Sequence, residues 1–168
     1  GWVLEAGSAL SGNDNTDADP EVLVAIGDLS TSIGAADITE VEMVTTTADK
    51  SEGFTISVRV RYNEPVNVVT TGGTPTLAVT NSNAGSGSGR GPHSLSYASG
   101  TGTNELIFSL AIAAANAATN ADDVLSVGAQ TIALNSGTIK DASGTASDAA
   151  LVISGAVGTA AGTVTVTA

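Results

Sequence analysis

The chain has 168 residues, a formal net charge of −12, 3% aromatic residues and no cysteine. This length suffices for one domain with a packed core, and the absence of cysteine excludes disulfides, thiolate metal sites and thiol catalysis. The acidic balance argues against nucleic-acid binding, because phosphates would be repelled. No run of about 18 apolar residues is present, so the sequence predicts no helix that spans a membrane.

Residues 1–36 are predicted to form an N-terminal extended arm and acidic segment, and residues 37–168 a separate domain. The arm begins with an apolar cluster, Trp2, Val3 and Leu4, and glycines at positions 7 and 12 then interrupt regular structure. Trp2 is the only tryptophan. It either packs on its own domain or anchors the arm on a neighbouring subunit, since aromatic residues are favoured at interfaces.

Side-chain oxygens alternate in the next part of the arm, at Asn13, Asn15, Asp17 and Asp19. Loops of this composition bind calcium, which prefers oxygen ligands. The match to an EF-hand loop is incomplete, because Ala18 replaces its glycine and Val24 its bidentate glutamate. A solvated acidic loop is therefore the alternative interpretation.

The clearest β-strand pattern lies between residues 52 and 66. Five apolar side chains alternate there with polar ones: Phe54, Ile56, Val58, Val60 and Tyr62. A period of two predicts a strand of an antiparallel sheet with one buried and one solvated face. Arg59 and Arg61 share the solvated face. They either contact an acidic partner or balance acidic residues on neighbouring strands, and common cross-strand pairing favours the second interpretation.

Shorter segments complete the predicted architecture. Residues 21–29 are a strand or a helical turn, residues 81–92 a Gly/Ser-rich hairpin tip, and alanine-rich residues 113–123 a short helix. Further strands are predicted at 37–47, 66–69, 77–80, 95–97, 106–112, 124–127, 131–134, 138–140, 150–153 and 163–167. Many short strands separated by turns predict an all-β fold with two antiparallel sheets packed as a β-sandwich.

Few residues suit catalysis. His93 is the only histidine and is predicted to be a polar loop residue. A catalytic triad or a multi-histidine metal site is therefore incomplete. Asp122, Asp123 and Asp141 lie near predicted turns, where aspartate side chains bond local amides. The sequence predicts no enzyme and no catalytic or cofactor-binding residue.

Four segments occur in the order found in an Ig-like repeat of bacterial surface adhesins and marine phage virion structural proteins. They are RYNEPV at 61–66, GTPTL at 73–77, YASGTGTNEL at 97–106 and LNSGTIKDASG at 134–144. The chain resembles this family over residues 37–168. The resemblance implies an Ig-like β-sandwich with a structural or adhesive role. Some adhesin modules bind calcium at their ends, and Glu64 and Asp141 are the positions at which to test this.

Two functions follow as hypotheses. The first is a capsid decoration (cement) protein of a phage virion, which binds the major capsid protein or another virion protein through its arm and forms a homo-oligomer in the assembly. The second is an extracellular cell-surface adhesin module or filament subunit that assembles by strand addition. Residues 66–69 or 163–167 would then exchange a strand with a neighbour.

Overall fold

The structure of the chain is a computed structural model. It describes the backbone of residues 2–4 and 21–24, and the backbone and side chains of residues 34–81, 91–115, 119–142 and 146–168. The chain divides into two compact units, Gly1–Thr31 and Ser32–Ala168. The two units are described separately below.

Within the seven residues described in it, the first unit contains one pair of antiparallel strands, β1 (Trp2–Leu4) and β2 (Glu21–Val24). Trp2 lies opposite Val24 and Leu4 opposite Glu21 in this ladder. Residues 21–24 are therefore a strand and not a helical turn. The four residues predicted to bind calcium lie outside the described residues: Asn13, Asn15, Asp17 and Asp19.

The second unit, called here the β domain, contains eleven strands and one short helix within its described residues. The strands are β3 (Ile38–Met43), β4 (Ala48–Asp49), β5 (Phe54–Val69), β6 (Thr76–Asn81), β7 (His93–Ser99), β8 (Thr103–Ile112), β9 (Val124–Ser126), β10 (Gln130–Thr131), β11 (Thr138–Asp141), β12 (Val152–Ile153) and β13 (Thr163–Thr167), and the helix is α1 (Gly155–Ala160).

Most strands of the β domain join one curled sheet. Its strand order is β11-β5-β8-β7-β6-β9-β13-β4, and β3 pairs additionally with β5. All of these ladders are antiparallel except the short one between β13 and β4. β10 and β12 form a separate two-stranded sheet. The all-β prediction is confirmed.

Strand β5 has more partners than any other strand of this sheet, since it pairs with β3, β8 and β11. Its period-two pattern is confirmed, because Ile56, Val58 and Val60 are fully buried while the residues between them are not. β8 pairs along one side of β5, and β3 and β11 share the other side. Along β5, the ladder with β3 extends as far as Tyr62 and the ladder with β11 starts at Val66. The change of partner therefore lies next to Pro65, which has no N–H to donate.

The hydrophobic core lies against the inner face of the curled sheet. Outside β5, the largest fully buried side chains are Leu77, Leu95, Leu106, Phe108, Leu125, Ile132, Ile139 and Ile153. Tyr97 packs edge-to-face on Phe108, with ring centroids 6.1 Å apart. Burial of one such aliphatic or aromatic side chain contributes about 1.5–3 kcal/mol. Phe54 and Leu110 are only partly buried at the edge of this core.

The predicted helix at residues 113–123 is wrong for the described part of that segment, 113–115 and 119–123, which forms turns. Ala115 and Asp122 have positive φ angles of 55° and 69°, which a right-handed helix does not admit. The helix lies instead at Gly155–Ala160, where Ser154 caps it by accepting a hydrogen bond from the Val157 amide. No helix among the described residues is long and apolar enough to cross a membrane.

Candidate interaction surface

Two arginines on the solvated face of β5 face three glutamates on the neighbouring strands. The antiparallel register places Glu42 opposite Arg59, and Arg61 between Glu40 on β3 and Glu105 on β8. Each of these side chains alternates with an inward apolar residue, so all of them point to the solvated face. These five residues are called the charge ladder.

Every member of the charge ladder makes at least one ion pair. Arg61 bonds Glu105 at 2.6 Å and Glu40 at 2.5 Å, and Arg59 bonds Glu42 and lies 3.6 Å from Glu105. The hydrogen bond from Arg61 holds the pKa of the Glu105 carboxyl below its ordinary value, and the same bond raises the pKa of Arg61. With three carboxylates and two guanidinium groups, the ladder carries a net charge of −1.

The charge ladder specifies strand register more than it stabilises the fold. Its side chains are 31–49% exposed, and exposed ion pairs contribute little to stability because water and salt screen them. A shift of β3 by one residue would turn Glu40 and Glu42 into the core and Val41 into solvent, which is far more costly. The ladder therefore presents a defined row of carboxylates along β3.

β3 pairs with β5 along one of its edges, and its other edge faces away from β5. The Val44 amide donates to Ser57 on β5 at 2.9 Å, whereas the Met43 amide donates in the opposite direction, to the Ala161 carbonyl at 2.8 Å. Because main-chain groups alternate in direction along a strand, those of Val41 point outward as Met43 does. Within the described residues, the N–H and C=O of Val41 have no partner in any interstrand ladder or loop hydrogen bond.

Residues 150–161 cross over this edge and are called the arch. At one end the Ala150 amide donates to the Ala36 carbonyl at 2.8 Å, and at the other Ala161 accepts from Met43. Helix α1 forms the middle of the arch, where Val157 packs on the core. Gly158 lies close to the main chain of Gly128, in the loop between β9 and β10. A Cβ added at Gly158 would be 2.3 Å from the Gly128 carbonyl oxygen, so no larger residue fits there.

A groove with a volume of about 460 Å³ lies between β3 and the arch. It is lined by Thr39, Glu40, Val41, Glu42, Ala156, Val157 and Ala160. One wall therefore carries carboxylates and main-chain groups, and the other carries small apolar side chains. It is called the β3–α1 groove.

A buried polar cluster lies elsewhere in the β domain, at the end of β6. His93 pairs with Val79 and Asn81 pairs with Leu125, so both polar residues point to the inner face. Asp123, two residues before Leu125, points the same way and is fully buried. Sequence reasoning missed this cluster, since no local signal links Asn81 to Asp123, which lie 42 positions apart.

Hydrogen bonds within this cluster are short. The Asp123 carboxylate accepts from the Asn81 amide group and from the Asn120 main-chain N–H, both at 2.7 Å. The second bond is the turn cap predicted for Asp123. The Lys50 ammonium donates to the Asn120 side-chain oxygen at 3.0 Å beside a second cavity of about 490 Å³.

The prediction that His93 is a polar loop residue is wrong. It is the first residue of β7, and only 5% of its surface is exposed. Burial lowers the pKa of His93, and the nearby Asp123 carboxylate opposes this shift without cancelling it. His93 is therefore a neutral core residue near pH 7.

The structure brings together some of the predicted site residues. Arg59 and Arg61 lie in the charge ladder, whereas Trp2, Val3 and Leu4 form β1 of the other unit. The carboxylates suggested for a calcium test, Glu64 and Asp141, are on adjacent strands, β5 and β11. Among the described residues, no group of three or more histidine, aspartate and glutamate side chains could hold a metal ion.

The two segments suggested for strand exchange have partners within the chain. Residues 66–69 pair in full with β11, and residues 163–167 pair with β9 and then with β4. The edge at β3 was not predicted. Its glutamates alternate with Val41 and Met43 in the sequence, but the arch that borders this strand follows more than 100 residues later.

The chain matches no protein-family model, no curated protein and no solved structure.

Proposed function

We propose that this chain is a non-enzymatic structural protein of a phage virion, and specifically a capsid decoration protein that attaches through its N-terminal unit. The observation that carries the proposal is the division of the chain into Gly1–Thr31 and Ser32–Ala168. A chain made of a small attachment unit and a larger β domain suits a protein that holds a symmetric shell through one segment and displays the other.

The use of charge in the β domain also supports a structural role. Its described arginines bond glutamates on neighbouring strands, and Asp123 bonds Asn81 and Asn120. These groups position strands and turns. A chain with a net charge of −12 also repels its own copies at long range, which keeps a densely decorated surface soluble.

The finer architecture belongs to the same proposal. We infer an Ig-like arrangement for the β domain, supported by the four sequence segments shared with Ig-like repeats and by the antiparallel ladders around β5. In the assembled particle the partner is the major capsid protein or another virion protein, and the copies form a homo-oligomer through that lattice.

The test is a decoration assay with capsids of the phage that encodes the chain. Full-length protein, a chain lacking residues 1–31 and Trp2→Ala are added to undecorated capsids, and bound copies are counted after sedimentation. We expect the truncation to abolish binding and Trp2→Ala to weaken it. Val152→Ala, which trims an apolar residue that is 67% exposed in the β domain, is the control and should bind normally. Normal decoration by the truncated chain would refute attachment through this unit.

The second candidate is an adhesin module or filament subunit that assembles by strand addition. The edge strand β3 favours it, because the main-chain groups of Val41 point away from β5, and displacement of the arch, which leaves Val41 only 3% exposed, would open this edge to an added strand. Light scattering of the purified protein separates the two candidates. Long polymers formed without capsids would support the filament, and discrete particles that bind only capsids would support decoration.

A further inference from the structure

We propose that the β domain is a load-bearing module that resists tension applied along its strands, with β13 as the strand that must be pulled out before the domain unfolds. This inference goes beyond capsid decoration and does not depend on which particle or surface the chain joins. It follows from the directions of β3 and β13, the first and last strands of the domain, and from the hydrogen bonds that hold them.

The first and last strands of the β domain run in the same direction. β3 is antiparallel to β5. A series of antiparallel ladders leads from β5 through β8, β7, β6 and β9 to β13, and their alternation makes β13 antiparallel to β5 as well. Tension that pulls on the start of β3 and on the end of β13 therefore acts along both strands.

The points at which such tension enters lie at opposite ends of this path. β3 starts at Ile38, and the amide of its last residue, Met43, donates to the carbonyl of Ala161, shortly before β13 starts. β13 then continues in the same direction to Thr167, whose carbonyl accepts from the Lys50 amide at 3.0 Å. The two strands thus follow one another along the sheet, so tension stretches the domain lengthwise.

Hydrogen bonds hold both edges of β13. On one edge the Val166 amide donates to the Asp123 carbonyl at 2.8 Å, where the ladder with β9 continues into the preceding turn. On the other edge the Thr167 hydroxyl donates to the Ala48 carbonyl at 3.1 Å, within the ladder with β4. β13 can therefore leave the sheet only when the bonds on both edges break.

The direction of the load decides how these bonds break. Hydrogen bonds of an antiparallel ladder lie perpendicular to its strands. Tension along β13 therefore strains many bonds together, and they must fail in one step. Tension across the strand would open the ladder one bond at a time from its end, which needs less force. Because forced unfolding is governed by the unfolding barrier, lengthwise tension is the direction in which the domain resists most.

β3 has additional side-chain bonds that oppose sliding along β5. Two ion pairs cross this ladder, Glu40–Arg61 and Glu42–Arg59. The Thr39 hydroxyl also donates to the Arg61 carbonyl at 3.2 Å. Among the described residues, β13 has one such side-chain bond, that of Thr167. We therefore expect β13 to yield before β3.

The experiment stretches single full-length molecules between two introduced cysteines, since the chain has none of its own. Ala35→Cys with Ala168→Cys applies lengthwise tension. Glu52→Cys with Ala168→Cys pulls the end of β13 away from the turn after β4, across the strand. All three positions are exposed. We expect the first pair to unfold at a clearly higher force than the second at the same pulling speed. Equal forces, or a lower force for the first pair, would overturn the proposal.

Two matched variants test the role of β13 in the lengthwise geometry. Thr167→Val replaces the hydroxyl that bonds Ala48 with a methyl group, and Thr165→Val makes the same change at an exposed position of β13. We expect Thr167→Val to unfold about 2- to 10-fold faster at a fixed force, the value of one hydrogen bond that must break before β13 slides. Thr165→Val should leave this rate unchanged. Equal rates for the two variants would overturn the assignment of the resistance to β13.

Discussion

The Tyr62 hydroxyl donates a 3.0 Å hydrogen bond to the carbonyl oxygen of Ala150 and so joins β5 to the first residue of the arch. The Tyr62 side chain is 1% exposed, and burial raises the pKa of its phenol. The hydroxyl therefore remains a donor at neutral and moderately alkaline pH. Since the Ala150 amide also bonds Ala36, both main-chain groups of this residue are held in place.

We expect Tyr62→Phe to lower the free energy of unfolding by about 1–2 kcal/mol, because it leaves a part-buried carbonyl oxygen without its donor. Urea denaturation followed by circular dichroism measures the loss. Tyr97→Phe is the control, since the Tyr97 hydroxyl accepts from the amide of Thr101 in an exposed turn, where water can replace it. A loss for Tyr97→Phe as large as that for Tyr62→Phe would contradict this account.

Two glycines of the β7–β8 turn should differ sharply in their tolerance of alanine. Gly100 and Gly102 both have positive φ angles, 114° and 81°. A Cβ at Gly100 would lie 2.0 Å from the Glu105 carbonyl oxygen, whereas at Gly102 no atom lies within 4 Å. We expect Gly102→Ala to cost about 1–2 kcal/mol from backbone strain alone, and Gly100→Ala to cost about 3 kcal/mol or more because the main chain must also move. Thermal unfolding compares them, and equal melting temperatures would refute the predicted clash.

The Gln130 carboxamide bonds both main-chain groups of Ala78, as a neighbouring strand would, on the side of β6 that faces away from β7. Its oxygen accepts from the Ala78 amide and its nitrogen donates to the Ala78 carbonyl, both at 2.8 Å. We expect Gln130→Ala to lower the free energy of unfolding by about 1–3 kcal/mol, because two part-buried main-chain groups lose their partners. Asn63→Ala removes a carboxamide that accepts from the Asp37 amide at the exposed surface, where water can replace it, and it should cost less. The prediction fails if the two variants unfold at the same urea concentration.

His93 should make stability depend on pH below about 7, where the unfolded chain begins to bind a proton at this side chain. Its pKa is lowered from 6.5 in the folded protein, so as the pH falls the unfolded chain binds a proton before the folded chain does. Stability is therefore complete above about pH 7 and declines as the pH falls through 6.5 toward the folded-state pKa. Urea midpoints across this range should fall for the unmodified chain and stay nearly flat for His93→Gln. Identical profiles would exclude His93, the only histidine, as the source.

The strands of the β domain could be predicted because their pattern is local. Alternation from Phe54 to Tyr62 depends only on which face is buried, and a wrong register would place Arg59 or Arg61 in the core. The helix could not be predicted, because Gly-Ala-Val-Gly-Thr-Ala has low helix propensity and two glycines. It forms because Ser154 caps it and Val157 finds a place on the core.

The candidate interaction surface could be predicted only in part. Arg59 and Arg61 were assigned to the solvated face, but the identity of their glutamate partners depends on which strands flank β5. The β3–α1 groove depends on contacts between residues 36–43 and 150–161, which are far apart in the sequence. The same reason applies to the burial of His93, since its surroundings come from β6 and from the turn before β9.

Pro65 divides the continuous strand β5 into two segments. On either side of it the strand bonds different partners, and the ladder with β8 is also irregular between Arg61 and Val66. The amide hydrogens of Asn67 and Val69, which face β11, are therefore expected to exchange with solvent when β11 detaches, without opening of the ladder around Val58 and Val60. A strand that is continuous in the sequence and in the sheet thus contributes to two cooperative opening units.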